Sequence, residues 1–314
     1  MKAFTRVGLV SIVVVLAISG KFATAEPLKL GITWPGDAQI GPIIENAFRE
    51  KIEELIPDVD IELQNAPDVE AMGGVIAEFE QEKDGILVLG SIGAVWLRDH
   101  PPTIPTFIGG VNHPGALGVV KNIAAPEGNI TGSTYYIPLE PQFEIFQAII
   151  PNLNAVLLLL EKGQPATQFE REETQAVCEK FGLAYYESVC VTATECVVAV
   201  KDHNDAGTLV IIGNNELNIE NTEKIVEAAG KTPVLSYATG TVSMGALGAF
   251  SADMLVMGQL LAESVVEVLV EGKAISEVPI KMDPRPKFIL NITTAERLGL
   301  EIPYNILRAA TIIE

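Results

Sequence analysis

The chain has 314 residues, 48% of them apolar, 20% charged and 6% aromatic. That is enough apolar material for one large domain or two of ordinary size, and too much for a disordered chain. Lys and Arg number 21 against 41 Asp and Glu, a formal charge of −20, so nucleic acid and anionic membrane surfaces are excluded first because like charge repels them.

Lys2 and Arg6 precede an apolar run, residues 7–18, broken only by Gly8 and Ser11, and Ala23-Thr24-Ala25 offers small residues ahead of Glu26-Pro27. Basic, apolar and small residues in that order predict a secretory signal peptide cleaved near Ala25. The run is short of the roughly 20 apolar residues a spanning helix needs. No Cys follows it to carry a lipid. Cleavage would remove Lys2, Arg6 and Lys21 and no acid, leaving a still more acidic chain, expected in the periplasm without stable membrane insertion.

From Leu28 onward, short apolar runs alternate with amphipathic stretches. Residues 28–33 read as a strand and 43–56 as a helix whose Ile44, Ala47, Phe48 and Ile52 share one face. The order recurs as strand 60–64, helix 69–81, strand 85–89, helix 94–99 and strand 106–108. A second series runs helix 141–150, strand 155–160, helix 166–181, strand 184–191, helix 194–201, strand 208–212, helix 219–229 and strand 234–236. Helices between strands imply parallel sheets, with the loops at the strands' carboxyl ends free to meet a ligand. The unbroken apolar cores Ile86-Leu87-Val88-Leu89 and Leu209-Val210-Ile211-Ile212 suit strands covered on both faces. The expected class is therefore α/β, in two similar halves, with hinge segments read near 134–138 and 237–244.

Cys178, Cys190 and Cys196 all fall after the predicted cleavage site, and an odd count cannot pair completely within one chain. A Cys190–Cys196 bridge is one expectation; three buried free thiols are the other. The spacing is not C-x-x-C and His100, His113 and His203 are scattered, so neither a metal site nor any other cofactor is expected. The G-x-S-x-G, H-E-x-x-H, P-loop and G-x-G-x-x-G patterns are missing after residue 25. The paired acids Glu53-Glu54 and Glu172-Glu173 lie on amphipathic helices and read as solvated faces. His113, with no visible partner, reads as structural rather than as a general base. The expectation is a binding protein and not an enzyme.

Binding candidates follow the predicted strands: Trp34-Pro35-Gly36-Asp37, Gly90-Ser91-Ile92-Gly93 and Gly109-Gly110-Val111-Asn112 in the first half, then Glu161-Lys162-Gly163-Gln164, Gly213-Asn214-Asn215 and Tyr237-Ala238-Thr239 in the second. Ser91 leads directly into a helix, where its hydroxyl and free backbone N–H groups either hold a carboxylate at the positive end of the dipole or simply cap the helix. Trp34 and the pair Tyr135-Tyr136 lie beside turns and are either aromatic walls for a flat ligand or ordinary core. The expected contact set is Trp34, Asp37, Ser91, Ile92, Gly110, Tyr135, Tyr136, Gln164, Asn214, Tyr237 and Thr239.

Several segments carry a resemblance: Asn65-Ala66, His113-Pro114 with Gly115-Ala116-Leu117-Gly118-Val119-Val120, Gly128-Asn129-Ile130-Thr131-Gly132, Gly245-Ala246-Leu247, and above all Pro286-Lys287-Phe288 with Asn291, Thr294-Ala295 and Leu298-Gly299-Leu300-Glu301-Ile302-Pro303. Together they resemble the substrate-binding protein family of ABC transporters, whose known members include binders of tryptophan and other aromatic amino acids. The likeness extends over nearly the whole chain after the leader. It implies a type I periplasmic-binding-protein fold: two doubly wound parallel-sheet lobes joined by a three-segment hinge, the first lobe 26–137 with 243–275 and the second 138–242 with 276–314. It also implies a monomer that closes on a small molecule and docks on an ABC permease; presentation of the ligand to a membrane signalling receptor would use the same fold. By position, Ser91 stands where the family has a Thr or Ser able to hold the ligand carboxylate. Asn214 and Ala238 stand where many members carry acids suited to an ammonium group, and Ala38-Gln39 replaces a His-Pro common in relatives. Asp37 is the remaining expected source of negative charge, and a carboxylate or a neutral aromatic compound matches as well as an amino acid.

Overall fold

The computed structural model of the protein describes residues 26–36, 40–164, 167–205 and 207–314. The expected signal peptide and Asp37 lie outside them.

The first lobe begins β1 (Leu28–Thr33), α1 (Ile40–Leu55), β2 (Val59–Leu63), α2 (Val69–Glu82), β3 (Gly85–Leu89), α3 (Ser91–Asp99), β4 (Thr106–Val111) and β5 (Ile130–Thr134). The chain then enters the second lobe through α4 (Leu139–Ile149), β6 (Ala155–Glu161), α5 (Thr167–Phe181), β7 (Ala184–Cys190), α6 (Ala193–Asp202), β8 (Thr208–Ile212), α7 (Glu216–Glu220), α8 (Thr222–Ala229), β9 (Val234–Ser236) and β10 (Gly248–Ser251). It returns to the first lobe for α9 (Met254–Val265) and β11 (Lys281–Met282), and ends in the second with β12 (Lys287–Asn291), α10 (Ile292–Leu298), α11 (Tyr304–Ala309) and β13 (Thr311–Ile313).

One sheet runs β11-β5-β4-β3-β1-β2, parallel throughout; the other runs β13-β12-β10-β9-β8-β6-β7, parallel except where β10 meets β12. The strands read as unbroken apolar runs are the buried centres: β3 and β8 are fully buried along their length, as strands covered on both faces must be. β5 is not among the expected strands. Its sequence ITGST offers little apolar signal, yet all five residues are buried, because Thr131 and Ser133 donate hydroxyl hydrogen bonds to the backbone oxygens of Val278 and Met257 at 2.6 and 3.1 Å.

Those two bonds also fasten the returning segment. α9 packs along α1 so closely that a Cβ on Gly258 would stand 2.6 Å from the Ile44 carbonyl oxygen and 2.8 Å from the Phe48 nitrogen, a close approach that only glycine permits. The resulting core joins Leu30, Ile32, Ile44, Phe48 and Ile52 to Met257, Leu261 and Val265, so the first lobe is completed by chain that arrives more than a hundred residues later.

Three crossings join the lobes, at 135–138, 252–253 and 283–286. The first carries Tyr135 and Tyr136. The second does not fall at 237–244: that stretch holds a tight 3-10 turn, Thr239–Met244, belonging to the second lobe. Asn291 Nδ2 donates to the Val242 oxygen and the Thr294 hydroxyl to the Gly245 oxygen, both at 3.1 Å, and β10 beyond it pairs with β9 and β12. Likewise β11 pairs with β5 through Lys281 opposite Ser133, and the Val278 oxygen accepts from Thr131, so residues 276–282 belong to the first lobe and the boundary expected at 275/276 moves to 282. Gly and Thr in these segments resemble linker in sequence, but their backbone groups are satisfied inside the lobes.

Of the two expectations for the cysteines, the structure has the bridge: Cys190 at the end of β7 is joined to Cys196 in α6, while Cys178 is free and buried in α5.

Candidate ligand-binding cleft

A cavity of about 590 Å³ lies between the lobes, at the carboxyl ends of β3, β4, β5, β8 and β9, the position open α/β sheets provide for ligands. Such a volume accommodates a small organic molecule.

The wall from the first lobe is built by Gly90, Ser91, Ile92, Gly110 and Asn112. Gly90 caps α3 at φ 88° and ψ 152°, with no side-chain cap, in a region of backbone space used essentially by glycine alone. Ser91 is thereby released from the capping role. Its hydroxyl accepts the Asn112 backbone N–H at 3.1 Å; burial raises the pKa of the neighbouring Tyr135 phenol, an effect the Ser91 hydroxyl opposes. The first intrahelical bond of α3 is Ala94 N–H to the Gly90 oxygen, so the preceding N–H groups have no helical acceptor and present partial positive charge.

The hinge supplies the aromatic floor. Thr134 donates its hydroxyl to the Val111 oxygen at 2.8 Å and accepts the Tyr136 N–H at 3.1 Å, setting the turn that points Tyr135 and Tyr136 into the cleft lining. The Tyr136 ring meets His113 edge-on with centroids 4.4 Å apart, and His113 meets Phe169 of α5 at 4.6 Å. His113 does not line the cavity; burial holds its pKa below the ordinary value, favouring the neutral ring. It belongs to an aromatic cluster that touches both lobes.

The wall from the second lobe differs in kind. Glu170 and Glu173 of α5 both line the cavity, with Phe169, Asn214, Tyr237, Thr239 and Phe250. Glu170 is 7% exposed and accepts the Asn214 backbone N–H at 3.1 and 3.3 Å on its two oxygens. Desolvation raises its pKa to about 7 against the opposing pull of that N–H. Glu173 accepts the Tyr136 hydroxyl, and burial likewise raises its pKa to about 7 against the smaller opposing influence of the Leu139 backbone N–H. Gly213 makes room for this arrangement, since a Cβ there would stand 2.6 Å from Glu170 Oε2 and 2.8 Å from the Leu159 oxygen. Tyr237 is partly buried, bonds Thr174 at 2.8 Å, and its ionisation is pushed well above the ordinary phenol value by burial. Among the described residues no Lys, Arg or His lines the cavity.

Of the expected contact set, Ser91, Ile92, Gly110, Tyr135, Tyr136, Asn214, Tyr237 and Thr239 meet at this cavity. Trp34 does not line it: the residue is 5% exposed, in the core with Ile44 and Phe48, and its ring lies against Gly41 of α1. Gln164 is also outside the lining, in the turn after β6, where its carbonyl accepts the Thr167 N–H at 3.2 Å. Phe169, Glu170, Glu173 and Phe250 are absent from the expected set. A signal for the acids exists: Glu170 and Thr174 continue the buried stripe of Val177 and Cys178 back along one face of α5, at the i, i+3, i+4 spacing of a helix. The run Glu170-Arg171-Glu172-Glu173 hides it, because Arg171 and Glu172 turn outward to Glu187 and Gln168.

Comparison with known proteins decides the family. The family model described as ABC transporter substrate binding protein matches residues 38–313. The chain belongs to that family. Its members bind small solutes and work with ABC permeases, and those of importers are extracellular or periplasmic. A tyrosine-binding protein of Clostridioides difficile is 21% identical over 248 residues, 78% of this chain and 72% of the relative. Among solved structures, the ligand-free, open form of a substrate-binding protein with adhesive properties from Clostridium difficile matches with a TM-score of 0.80 at 20% identity, covering 91% of this chain and 99% of that one. An ABC domain in complex with L-Trp from Streptococcus pneumonia matches at 0.68 and 20% identity, over 92% of this chain and 100% of that one. These likenesses establish the type I periplasmic-binding-protein fold, two α/β lobes about a cleft. Among the described residues, no helix is long and apolar enough to cross a membrane and no group of three or more His, Cys, Asp or Glu could hold a metal ion.

Proposed function

We propose that this substrate-binding protein captures a small aromatic, amino-acid-like or carboxylate-bearing molecule between its lobes and delivers it to a membrane permease as the receptor of an importer. The observation that carries the reading is the cavity itself: aromatic side chains from the hinge and the second wall surround a space with Ser91 and the N-terminus of α3 on the other side. Rings offer a flat ligand stacking and apolar burial, while a hydroxyl and helix N–H groups match a carboxylate. The ligands named for two relatives, tyrosine and L-Trp, are of this kind. Closure on the guest selects a state whose surface the permease can distinguish from the open one. Export as a monomer after cleavage near Ala25, and the absence of any chemical step in the cleft, complete the proposal.

Native mass spectrometry of the purified protein, followed by thermal-shift screening with aromatic amino acids and aromatic carboxylates, tests it. A true ligand at 100 times its Kd adds about 2.7 kcal/mol of apparent stability. Ser91→Ala should weaken a carboxylate-bearing ligand by about 1–3 kcal/mol, the cost of leaving a buried polar group unmatched. Equal affinity of both forms in calorimetry removes Ser91 from the role, and a panel in which nothing stabilises the protein removes the reading.

A further inference from the structure

We propose that Glu170, with Glu173 one turn further along α5, is the subsite that receives the ligand's ammonium group, so that the cleft selects protonated aromatic amines and amino acids over the same molecules without the amine. The inference rests on the cleft being a ligand site and names the chemistry of its second wall. Three observations carry it. Both carboxyl groups line the cavity although the helix that bears them has an exposed face available. Glu170 is 7% exposed, yet its partner is one backbone N–H, that of Asn214, so most of its acceptor capacity is unfilled. And among the described residues no cation meets either group. Arg171 is turned to Glu187 at 2.7 Å, Lys180 is paired with Glu140 at the surface, and Glu161 accepts from the Leu217 N–H. From the hinge and β9 come only the phenols of Tyr135, Tyr136 and Tyr237, from the β8 loop Asn214, and behind Tyr136 the His113 ring, whose pKa burial lowers.

Burial without a cation favours the neutral form of a carboxyl group. Arrival of an ammonium group reverses this: the ion pair favours the carboxylate, and the displaced proton leaves to solvent. Binding an amine near neutral pH therefore releases protons, and affinity for it rises as pH increases through about 7, where both carboxyl groups titrate in the empty cleft. The Asn214 N–H, reaching Glu170 from the loop after β8, fixes the carboxyl at the cavity wall without neutralising it.

The test uses the exported chain and three probes that share one ring: L-tyrosine, tyramine, which lacks the carboxylate, and 3-(4-hydroxyphenyl)propionate, which lacks the amine. Calorimetry at pH 6.5 in buffers of different ionisation enthalpy reads affinity and protons together. The expected result is at least tenfold weaker binding of the propionate than of L-tyrosine, proton release with the two amines and none with the propionate. In Glu170→Gln the preference for the amine should fall at least fivefold; Glu173→Gln serves if the first variant does not fold, and the three-probe comparison on the unaltered protein needs neither. Equal affinity for L-tyrosine and the propionate, or amine binding without proton release, overturns this inference while leaving an aromatic-ligand receptor standing. If none of the three probes binds, both fall together.

Discussion

The two walls of the cleft are built on the same plan and end with opposite chemistry. Each is a helix following a parallel strand, α3 after β3 and α5 after β6. The first presents Ser91 at its start, backbone N–H groups and no charged side chain; the second presents Glu170 and Glu173 from within its length. One wall donates through dipoles, the other accepts through carboxyl groups, and aromatic rings from the hinge lie between. A molecule with an acceptor at one end and a donor at the other is complementary to both. The contrast also has a folding side: the dipolar wall takes its polarity from backbone that any sequence possesses, whereas the acidic wall holds groups whose charge burial opposes.

The largest effect separating the walls follows from that opposition. The pKa of Glu170 is raised to about 7 in the empty protein from the ordinary 4.5, so the folded state holds its proton more tightly than the unfolded chain. Stability from this group is complete below about pH 4.5 and is lost as pH rises towards 7. At about 1.4 kcal/mol per unit, the loss is about 3 kcal/mol. Urea unfolding of the ligand-free protein and of Glu170→Gln at pH 5 and pH 8 measures it: the unaltered protein should lose stability relative to the variant as pH rises. Parallel behaviour would mean that the carboxyl is already solvated, and the contrast between the walls would collapse.

An intermediate effect tests the dipolar wall. Gly90 has open space where a Cβ would stand, with nothing within 4 Å, but its φ of 88° disfavours any other residue. Gly90→Ala should therefore cost about 1–3 kcal/mol through backbone strain alone. Relief of that strain would turn the first N–H groups of α3 away from the cavity. Thermal melts report the first consequence and binding of an aromatic carboxylate the second. A variant as stable as the parent, with unchanged affinity, would show that the turn has no special geometry to lose.

The difference between the walls also explains what is legible in the sequence. Alternating strands and helices, the all-apolar centres of β3 and β8, and loops at the strands' carboxyl ends follow from local pattern, and Ser91, Tyr135, Tyr136, Asn214, Tyr237 and Thr239 duly meet at the cavity. Residues whose place depends on distant chain are not legible. β5 is buried because Val278 and Met257 receive its hydroxyl groups, and the turn at 239–244 belongs to the second lobe because Asn291 and Thr294 hold it. Glu173 reads as solvated beside Glu172, and Glu170 passes unremarked, because the charge of the run outweighs the stripe leading to Val177 and Cys178. Period marks which side of a helix is covered; it does not distinguish covering by core from covering by a cleft.

Trp34 supplies the smallest expected effect and the sharpest control. An aromatic residue next to a turn at the end of β1 is a natural candidate to wall the ligand, yet it is 5% exposed and outside the lining. A Cβ on Gly41 would stand 3.0 Å from two atoms of its ring, so the indole is clamped under the first turn of α1 and joins the core of Leu30, Ile44 and Phe48. Trp34→Phe keeps an apolar ring there while leaving a small void, and should lower stability by about 1–2 kcal/mol. Affinity for any ligand of the cleft should stay within about twofold, because the indole does not line the cavity and its neighbour Pro35, which does, is held by backbone bridging to Ala66 rather than by the ring. Phe substitution at Tyr135, which lines the cavity with Ser91, provides the opposite case, with affinity for a carboxylate reduced and the core untouched. A loss of binding in Trp34→Phe as large as in Tyr135→Phe would place the indole functionally in the cleft and make the aromatic floor extend beneath α1.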